Sequence, residues 1–367
     1  MLRPRWKKVI RDLAHNRTRT ALVVLSIAVG VFAFGTIMAG LTVIRREVRE
    51  SFLATNPASA TITTEPFDEE LVEAARRLPG VAQAQGRRAV AARLQVGPQE
   101  WQDTVLYVLP DDGATEVGIV RPAAGAWPPP DRALLLERAS LGKARAALGE
   151  TVTLALPGQR ARRLPIAGLT HDLSLPPAVI AGQAFGYITF DTLEWLGGPG
   201  GYNQMSFVVE GDRTDEAHIR AVAARVERLI ERSGREVLNT DVPTPLQHPV
   251  EIILPTLFAV MTTIGVLALV TSIFLIINTI SAILTQQTRQ IGVMKAIGAR
   301  AGQIRGMYFA LAASFGLLAL LIAVPLSALG SQFMARFIGG QLNIDIAGLT
   351  MPPEVLLLEL GAALLVP

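Results

Sequence analysis

The sequence predicts an α-helical transmembrane bundle, with three full spans and an incomplete fourth, that carries an α+β domain between helices one and two. Composition is the first indication, because 50% of the 367 residues are hydrophobic and only 18% are charged, against about a quarter in soluble domains. The second is three uncharged runs, over residues 20–44, 252–288 and 306–335. The third is a segment of roughly 200 residues with mixed helix and strand patterns between the first two runs.

Each uncharged run is long enough to cross a bilayer. The runs contain 25, 37 and 30 residues, whereas about 20 apolar residues in a helix span the hydrocarbon core. The first run lies where a signal peptide would lie, but it is longer than the roughly 7–15 residues of such a segment's apolar region. We therefore predict an uncleaved first span.

The distribution of charge predicts the topology. Residues 1–19 carry a net charge of +6 and residues 285–305 a net charge of +4, so the remainder of the chain carries −7. Basic segments that flank apolar spans stay in the cytoplasm, and one orientation places both of them there. We predict a multi-pass protein of a bacterial or archaeal cell (inner) membrane, and no nucleic-acid partner, because the basic residues flank the spans.

The predicted organisation follows from these runs. In chain order it comprises a cytoplasmic amphipathic N-terminal helix (1–19), transmembrane helix one (20–44), an extracytoplasmic α+β domain (45–251), transmembrane helix two (252–285), a cytoplasmic segment (286–305), transmembrane helix three (306–335), an extracytoplasmic loop (336–352) and the start of transmembrane helix four (353–367). The last run is too short to span. We expect a chain truncated inside a fourth helix; the alternative is a partner half encoded elsewhere.

Strand and helix patterns in the external segment predict an α+β domain. It opens β-α-β-β and continues with a second group of strands and helices, which favours a split β-α-β core with a β-rich insertion. The predicted strands cover residues 60–64, 89–96, 104–109, 133–136, 151–156, 164–169, 187–190 and 205–210, and the predicted helices cover residues 68–78, 138–148 and 215–233.

The sequence contains no catalytic constellation. The absence of cysteine excludes a disulfide scaffold, a thiolate metal site and a cysteine nucleophile. The four histidines are scattered without the spacing of metal ligands, and no phosphate-binding loop is present. We therefore expect no enzyme activity, no metal and no cofactor in this chain. His171-Asp172 is interpreted as a surface turn.

Small and polar residues in the apolar runs predict helix packing. Ser26, Gly30 and Gly40 lie on one face of the first helix and Gly35 lies on the opposite face, which permits close approach of helices in lipid. Ordinary bundle packing and a dimer face are the two alternatives for these faces. Asn278 in the second run is expected to form interhelical hydrogen bonds. The lack of charge in all three runs argues against an ion-coupled transporter.

Two cytoplasmic segments are the most informative. Residues 2–13 predict an amphipathic helix that lies in the inner membrane interface. Residues 286–305 (QQTRQIGVMKAIGARAGQIR) are basic, contain isolated apolar residues and are too long for a tight turn. A short helix there would present apolar and cationic side chains to the cytoplasm. A loop on lipid headgroups is the alternative, but the length and apolar content favour a protein partner.

The second segment resembles a known family. Residues 291–299 (IGVMKAIGA) are similar to the coupling segment of FtsX/MacB-type ABC transporter permeases, whose usual form starts E-I-G and ends A-I-G-A or A-L-G-A. Residues 16–31 resemble that family's first helix, and residues 132–156 its MacB-like external domain. Departures are Gln290 where the family often has Glu, the incomplete fourth helix and the lack of a fused nucleotide-binding domain. The resemblance assigns coupling to Arg289, Ile291, Gly292, Val293, Met294, Lys295, Ala296, Ile297, Gly298 and Ala299.

The resemblance implies a permease subunit without an ATP site of its own. ATP and Mg would bind a separate ABC ATPase subunit, whose motion would pass through residues 286–305 and the helices to the external domain. A second permease half, either a homodimer copy or a paralogue, and membrane lipid are the other implied partners. The function would be export or extraction of a lipid, lipoprotein, peptide or drug.

Two other functions stay open at this point. One is a non-transporting mechanotransmission regulator of a cell-wall hydrolase or a sensor kinase, which would share the same coupling segment. The other is a membrane-anchored extracytoplasmic binding protein, which is disfavoured because residues 286–305 are too short for an output domain.

Overall fold

The computed structural model describes residues 17–346, 348 and 351–365. The chain forms two compact units. The helical unit lies within Met1–Glu47, Ile253–Gly339 and Ile346–Pro367, and the sheet unit comprises Val48–Ile252 and Gly340–Asp345. The amphipathic helix predicted over residues 2–13 lies outside the described residues.

The elements alternate along the chain. The helices are α1 (Arg17–Leu53), α2 (Glu69–Arg76), α3 (Leu141–Ala144), α4 (Ala178–Ala181), α5 (Phe190–Trp195), α6 (Glu216–Arg232), α7 (Leu254–Gln286), α8 (Thr288–Ala296), α9 (Ala301–Gln341) and α10 (Pro353–Leu365). The strands are β1 (Ala60–Phe67), β2 (Val81–Gln95), β3 (Trp101–Val108), β4 (Arg121–Gly125), β5 (Leu134–Glu137), β6 (Thr151–Ala155), β7 (Arg162–His171), β8 (Ala184–Ile188), β9 (Tyr202–Val209) and β10 (Val237–Asp241).

Three helices are long and apolar enough to cross a membrane, over Thr20–Leu53, Leu254–Gln286 and Ala301–Gln341. The first helix extends beyond its uncharged run at the C-terminal end, and the third extends beyond its run at both ends. The predicted loop over residues 336–352 is therefore wrong in its first part, where α9 continues to Gln341. A buried apolar cluster with members on α1, α7, α9 and α10 forms the core of this unit.

The sheet unit is built on a ten-stranded sheet with the order β10-β1-β9-β2-β3-β8-β5-β7-β4, and β6 pairs with β2 and β7. Strand β9 lies between β1 and β2 and is antiparallel to both, so α2 connects two parallel strands that are one strand apart. In the same way α6 connects β9 to β10 across β1. This arrangement confirms the predicted split β-α-β core.

Local sequence explains the helices of this core. Asp68 and Asp215 cap α2 and α6, since their side chains accept hydrogen bonds from the first-turn backbone amides. The apolar faces of both helices pack on one face of the sheet, where Ile62, Phe207 and Val222 are buried. Strands β3 to β8 form the predicted β-rich insertion, with a second apolar core of its own.

The predicted helix over residues 138–148 is wrong. A 3₁₀ turn covers Arg138–Ser140 and α3 ends at Ala144, after which Arg145 adopts a left-handed conformation with φ 46°. Gly142 is a poor helix former at the centre of this stretch. The stretch is apolar because Leu141 and Ala144 pack on the insertion core, which needs no long helix.

Candidate functional sites

The segment over residues 286–305, here called the coupling segment, contains the short helix that its sequence predicts. Helix α7 ends at Gln286 and α8 begins at Thr288. Between them, the buried Gln287 accepts a hydrogen bond of 2.8 Å from the hydroxyl of Tyr308 on α9. This bond connects the start of the segment to the helix that follows it.

A glycine terminates α8. Gly298 has a φ of 98°, a left-handed conformation that costs other residues free energy because of their Cβ atom. The amides of Gly298 and Ala299 donate to the carbonyls of Lys295 and Met294, both at 3.0 Å. Helix α9 follows at Ala301. The side-chain oxygen of Gln303, in its first turn, accepts a hydrogen bond of 3.1 Å from the backbone amide of Arg300.

The tip of the coupling segment is apolar and positively charged. Ile297 is 82% exposed and Val293 is 54% exposed. The cations Arg289, Lys295, Arg300 and Arg305 are exposed, no acidic residue occurs between residues 285 and 305, and none of the four has an ion-pair partner in the described part of the chain. Such a surface favours an acidic partner with apolar contacts.

Seven of the ten residues predicted for coupling lie on α8, and the other three, Ile297, Gly298 and Ala299, form the turn that follows it. Ile291, Met294 and Ala299 are half-buried, and the others are exposed, namely Arg289, Gly292, Val293, Lys295, Ala296, Ile297 and Gly298. Their assignment to coupling stays a prediction.

Three of the predicted packing glycines lie against other helices of the helical unit. A Cβ on Gly30, Gly35 or Gly40 would overlap the side chain of Ser272, Glu359 or Met334 respectively. The hydroxyl of Ser26 donates to the carbonyl of Leu22 at 2.8 Å, within its own helix, while Asn278 is exposed on α7. Packing by these five residues stays a prediction. Glu359 was not anticipated, because it lies in the run that is too short to span.

The sheet unit contains a polar cluster that sequence reasoning missed. It joins the turn after β5 to residues 342–345, which follow α9. The side chain of Asn343 donates to Glu137 at 2.8 Å, and Arg138 Nε donates to Asn343 Oδ1 at 2.7 Å. Arg138 Nη1 contacts both oxygens of Asp345, at 2.9 and 3.1 Å. The Nε2 atom of His171 lies 2.8 Å from the carbonyl oxygen of Asn343.

Burial sets the protonation of this cluster. It raises the pKa of Glu137 to about 7, although hydrogen bonds from Asn343 and the amide of Ala139 oppose the shift. Burial, together with the charge of Arg138, lowers the pKa of His171. The cluster therefore holds Glu137 partly protonated and His171 neutral near pH 7. The sequence around Asn343 gives little indication of this cluster. Its residue type is consistent only with the left-handed φ of 63° that it adopts, which Asn tolerates.

The interpretation of His171-Asp172 as a surface turn is wrong. Asp172 is 1% exposed, accepts a hydrogen bond of 2.6 Å from the hydroxyl of Tyr187 and lies 3.4 Å from Arg87 Nη2. Burial raises the pKa of Tyr187, and the charge of Asp172 adds to the shift. Arg87 also stacks 4.7 Å above the ring of Tyr107. This buried ion pair lies beside a polar cleft of about 320 Å³ on the sheet, to which Arg87 and Tyr107 contribute.

These features define a class of protein: a multi-pass membrane protein with a folded sheet unit between its first and second apolar helices. Residues 262–367 match the family model described as FtsX-like permease C-terminal. The match includes residues 291–299 and confirms their resemblance to the FtsX-type permeases. The comparison with curated proteins gave no match.

Two solved structures are similar to about half of the chain. The extracellular domain of the noncanonic ABC-type transporter YknZ from Gram-positive bacteria is 17% identical, with a TM-score of 0.34, over 49% of this chain and 100% of that chain. The periplasmic region of MacB from Actinobacillus actinomycetemcomitans is 10% identical, with a TM-score of 0.31, over 49% and 87%.

Proposed function

We propose that the chain is the permease subunit of an ABC transporter, in which the coupling segment binds a separate ATPase subunit. The proposal rests on the exposed side chains at the tip of this segment. Val293 on α8 and Ile297, directly after α8, are exposed apolar side chains in a segment that also carries four exposed cations. Exposed apolar side chains of this kind are costly in water, and a protein partner would cover them. The family match over residues 262–367 supports the same interpretation.

The proposed orientation follows from charge. With residues 1–19 and the coupling segment in the cytoplasm, the sheet unit lies on the extracytoplasmic side of the cell membrane. ATP and Mg would bind the ATPase partner, and a second permease half, identical or paralogous, would complete the transporter. Membrane lipid would surround the exposed apolar side chains of α7 and α9.

The route for motion runs along continuous elements. Helix α1 crosses from the helical unit into the sheet unit without interruption between Glu47 and Val48. Helix α9 starts in the coupling segment, and its last two residues and the next four, residues 340–345, belong to the sheet unit. A displacement of the coupling segment would therefore reach the sheet unit through a single helix. The work done there would be export or extraction of a lipid, lipoprotein, peptide or drug.

Purification from native membranes tests the proposal. The tagged full chain is isolated in mild detergent beside a Val293→Asp, Ile297→Asp variant, and mass spectrometry identifies the proteins that accompany each. The matched control is Val179→Asp, Ile180→Asp, which changes the same residue types at exposed positions of α4 in the sheet unit.

An ABC ATPase subunit should accompany the parent and the control but not the coupling-segment variant. Equal recovery of the ATPase with all three chains would contradict docking through this segment. Absence of any ABC ATPase from the parent sample would contradict the permease function itself.

A further inference from the structure

A buried carboxyl lies inside the helical unit. Glu359 of α10 has 0% exposure and lies against the backbone of Gly35 on α1, where a Cβ would overlap its Oε1 atom. Ser327 of α9, which is also 0% exposed, lies within hydrogen-bonding reach of the same carboxyl. Three apolar helices therefore converge on one ionisable group.

The described surroundings contain no countercharge for Glu359. Neither of its carboxyl oxygens has a hydrogen bond of acceptable geometry in the described part of the chain. Helix α1 has no charged residue between positions 20 and 44, α7 has none between 254 and 286, and α9 has none between 306 and 335. The other charged residue of α10, Glu354, is exposed in the first turn. An ionised carboxylate buried without a partner is strongly disfavoured.

Ser327 is a weak partner for an ionised carboxyl. Its hydroxyl donates to the carbonyl of Val324 at 3.0 Å. Donation to Glu359 instead would stabilise the ionised form, but one neutral hydroxyl offsets only a small part of the cost of a buried carboxylate. A carboxylic acid, in contrast, can donate its own hydrogen to the oxygen of Ser327.

A metal cation fits the site less well than a proton does. Hard cations need about six or more oxygen ligands, while neither carboxyl oxygen of Glu359 has a hydrogen-bond partner in the described residues. We propose that Glu359 is a proton-binding site inside the membrane part of the protein. Its carboxyl takes up one proton from water when α10 packs on Gly35 and returns that proton to water when it becomes hydrated.

This site extends beyond the proposed function, because it does not depend on an ATPase partner. It makes the contact between α1 and α10 sensitive to pH. The protonated carboxyl packs against Gly35, and the ionised carboxyl requires water where the helices now touch. Alkaline pH should therefore favour separation of the two helices at this point.

Carbodiimide modification tests the site in the full chain in native membranes. Dicyclohexylcarbodiimide is an apolar reagent that modifies protonated carboxyls, and mass spectrometry of the α10 peptide locates the adduct. The matched control is Glu354 in the same helix, which as an exposed carboxyl should react with a water-soluble carbodiimide instead. A Glu359→Gln variant confirms the assignment of the adduct.

We expect dicyclohexylcarbodiimide to modify Glu359, and the yield to fall as pH rises, because only the protonated carboxyl reacts. The water-soluble reagent should modify Glu354 and leave Glu359 intact. An unmodified Glu359 throughout this series would overturn the proposal. Protection of Glu359 by sodium chloride but not by choline chloride at constant pH would also overturn it, because a bound metal cation would then occupy the site.

Discussion

The side-chain amide of Asn343 donates a hydrogen bond of 2.8 Å to the carboxyl of Glu137, 206 positions away in the sequence. This bond fixes the residues that follow α9 to the turn after β5, inside the sheet unit. The chain passes between the two units in four places: within α1, before α7, within α9 and before α10. A transporter that moves its external domain would benefit from each of these connections.

Replacement of Asn343 tests this connection. Asn343→Ala removes one donor from the buried carboxyl of Glu137 and one acceptor from Arg138, and an unsatisfied buried polar group costs about 1–3 kcal/mol. We expect faster hydrogen exchange of residues 340–345 in the full chain. Asp345→Ala is the control, since Asp345 also contacts Arg138 but its side chain is 70% exposed, and exposed pairs contribute about 1 kcal/mol or less. Equal exchange in both variants would contradict the role given to Asn343.

Glu137 should make the sheet unit less stable as pH rises. Its pKa is about 7 in the folded protein and ordinarily 4.5, so between these values the folded state binds more protons than the unfolded state. The free energy of unfolding should therefore fall across this window, by about 3 kcal/mol as an order of magnitude, and level off above it.

The measurement is the apparent melting temperature of the full chain against pH, for the parent and Glu137→Gln. The substitution removes this proton uptake, so the decline between pH 4.5 and about 7 should be smaller in the variant. Burial lowers the pKa of His248 to about 4, and this group acts in the opposite direction in both proteins, since it destabilises the fold as pH falls. Identical profiles would show that Glu137 does not titrate as described.

Gly298 should be required for the shape of the coupling segment. Gly298→Ala places a Cβ at a φ of 98° although nothing lies within 4 Å, so its cost of about 1 kcal/mol comes from backbone strain alone. The control Gly292→Ala also adds a Cβ in open space, but inside α8, where alanine favours the helix. Recovery of the ATPase partner should decrease with the first variant and not with the second. A decrease with both would indicate a steric contact with the partner instead.

Gly35 and Glu359 should be energetically coupled. Gly35→Ala forces α1 and α10 apart, and overpacking of this kind costs about 1–3 kcal/mol. Glu359→Ala makes room for the new methyl group, so the double variant should melt above the sum of the two single effects. Gly361→Ala, whose Cβ would meet nothing within 4 Å, is the control for a glycine change in α10. Strict additivity of the two changes would contradict the observed contact.

Much of the fold follows from local sequence. The uncharged runs reveal the three long helices, and the alternation and capping of the core reveal β1, α2, β9 and α6. The ends of the long helices cannot be predicted from the uncharged runs, because α1 and α9 continue beyond the apolar residues. Strand β4 gives no alternation signal, since all five of its residues are exposed.

The candidate sites divide in the same way. The coupling segment is predictable because its residues are contiguous in the sequence. The cluster of Asn343 with Glu137 depends on residues 206 positions apart, and Asp172 is buried by strands distant in the sequence. Glu359 lies in an apolar run too short to span a membrane, so the sequence does not predict its burial. The packing of α10 on Gly35 reveals that burial.

The central claim is that the coupling segment contacts an ATPase, and photo-crosslinking from position 297 tests it most directly. Ile297 is replaced by p-benzoylphenylalanine in the full chain, native membranes are irradiated, and the crosslinked protein is identified by mass spectrometry. The same replacement of Val179, an exposed residue of the sheet unit, is the control. We expect an ABC ATPase subunit crosslinked from position 297 and not from position 179. Crosslinks from position 297 to lipid alone, in membranes that contain the ATPase, would contradict the claim.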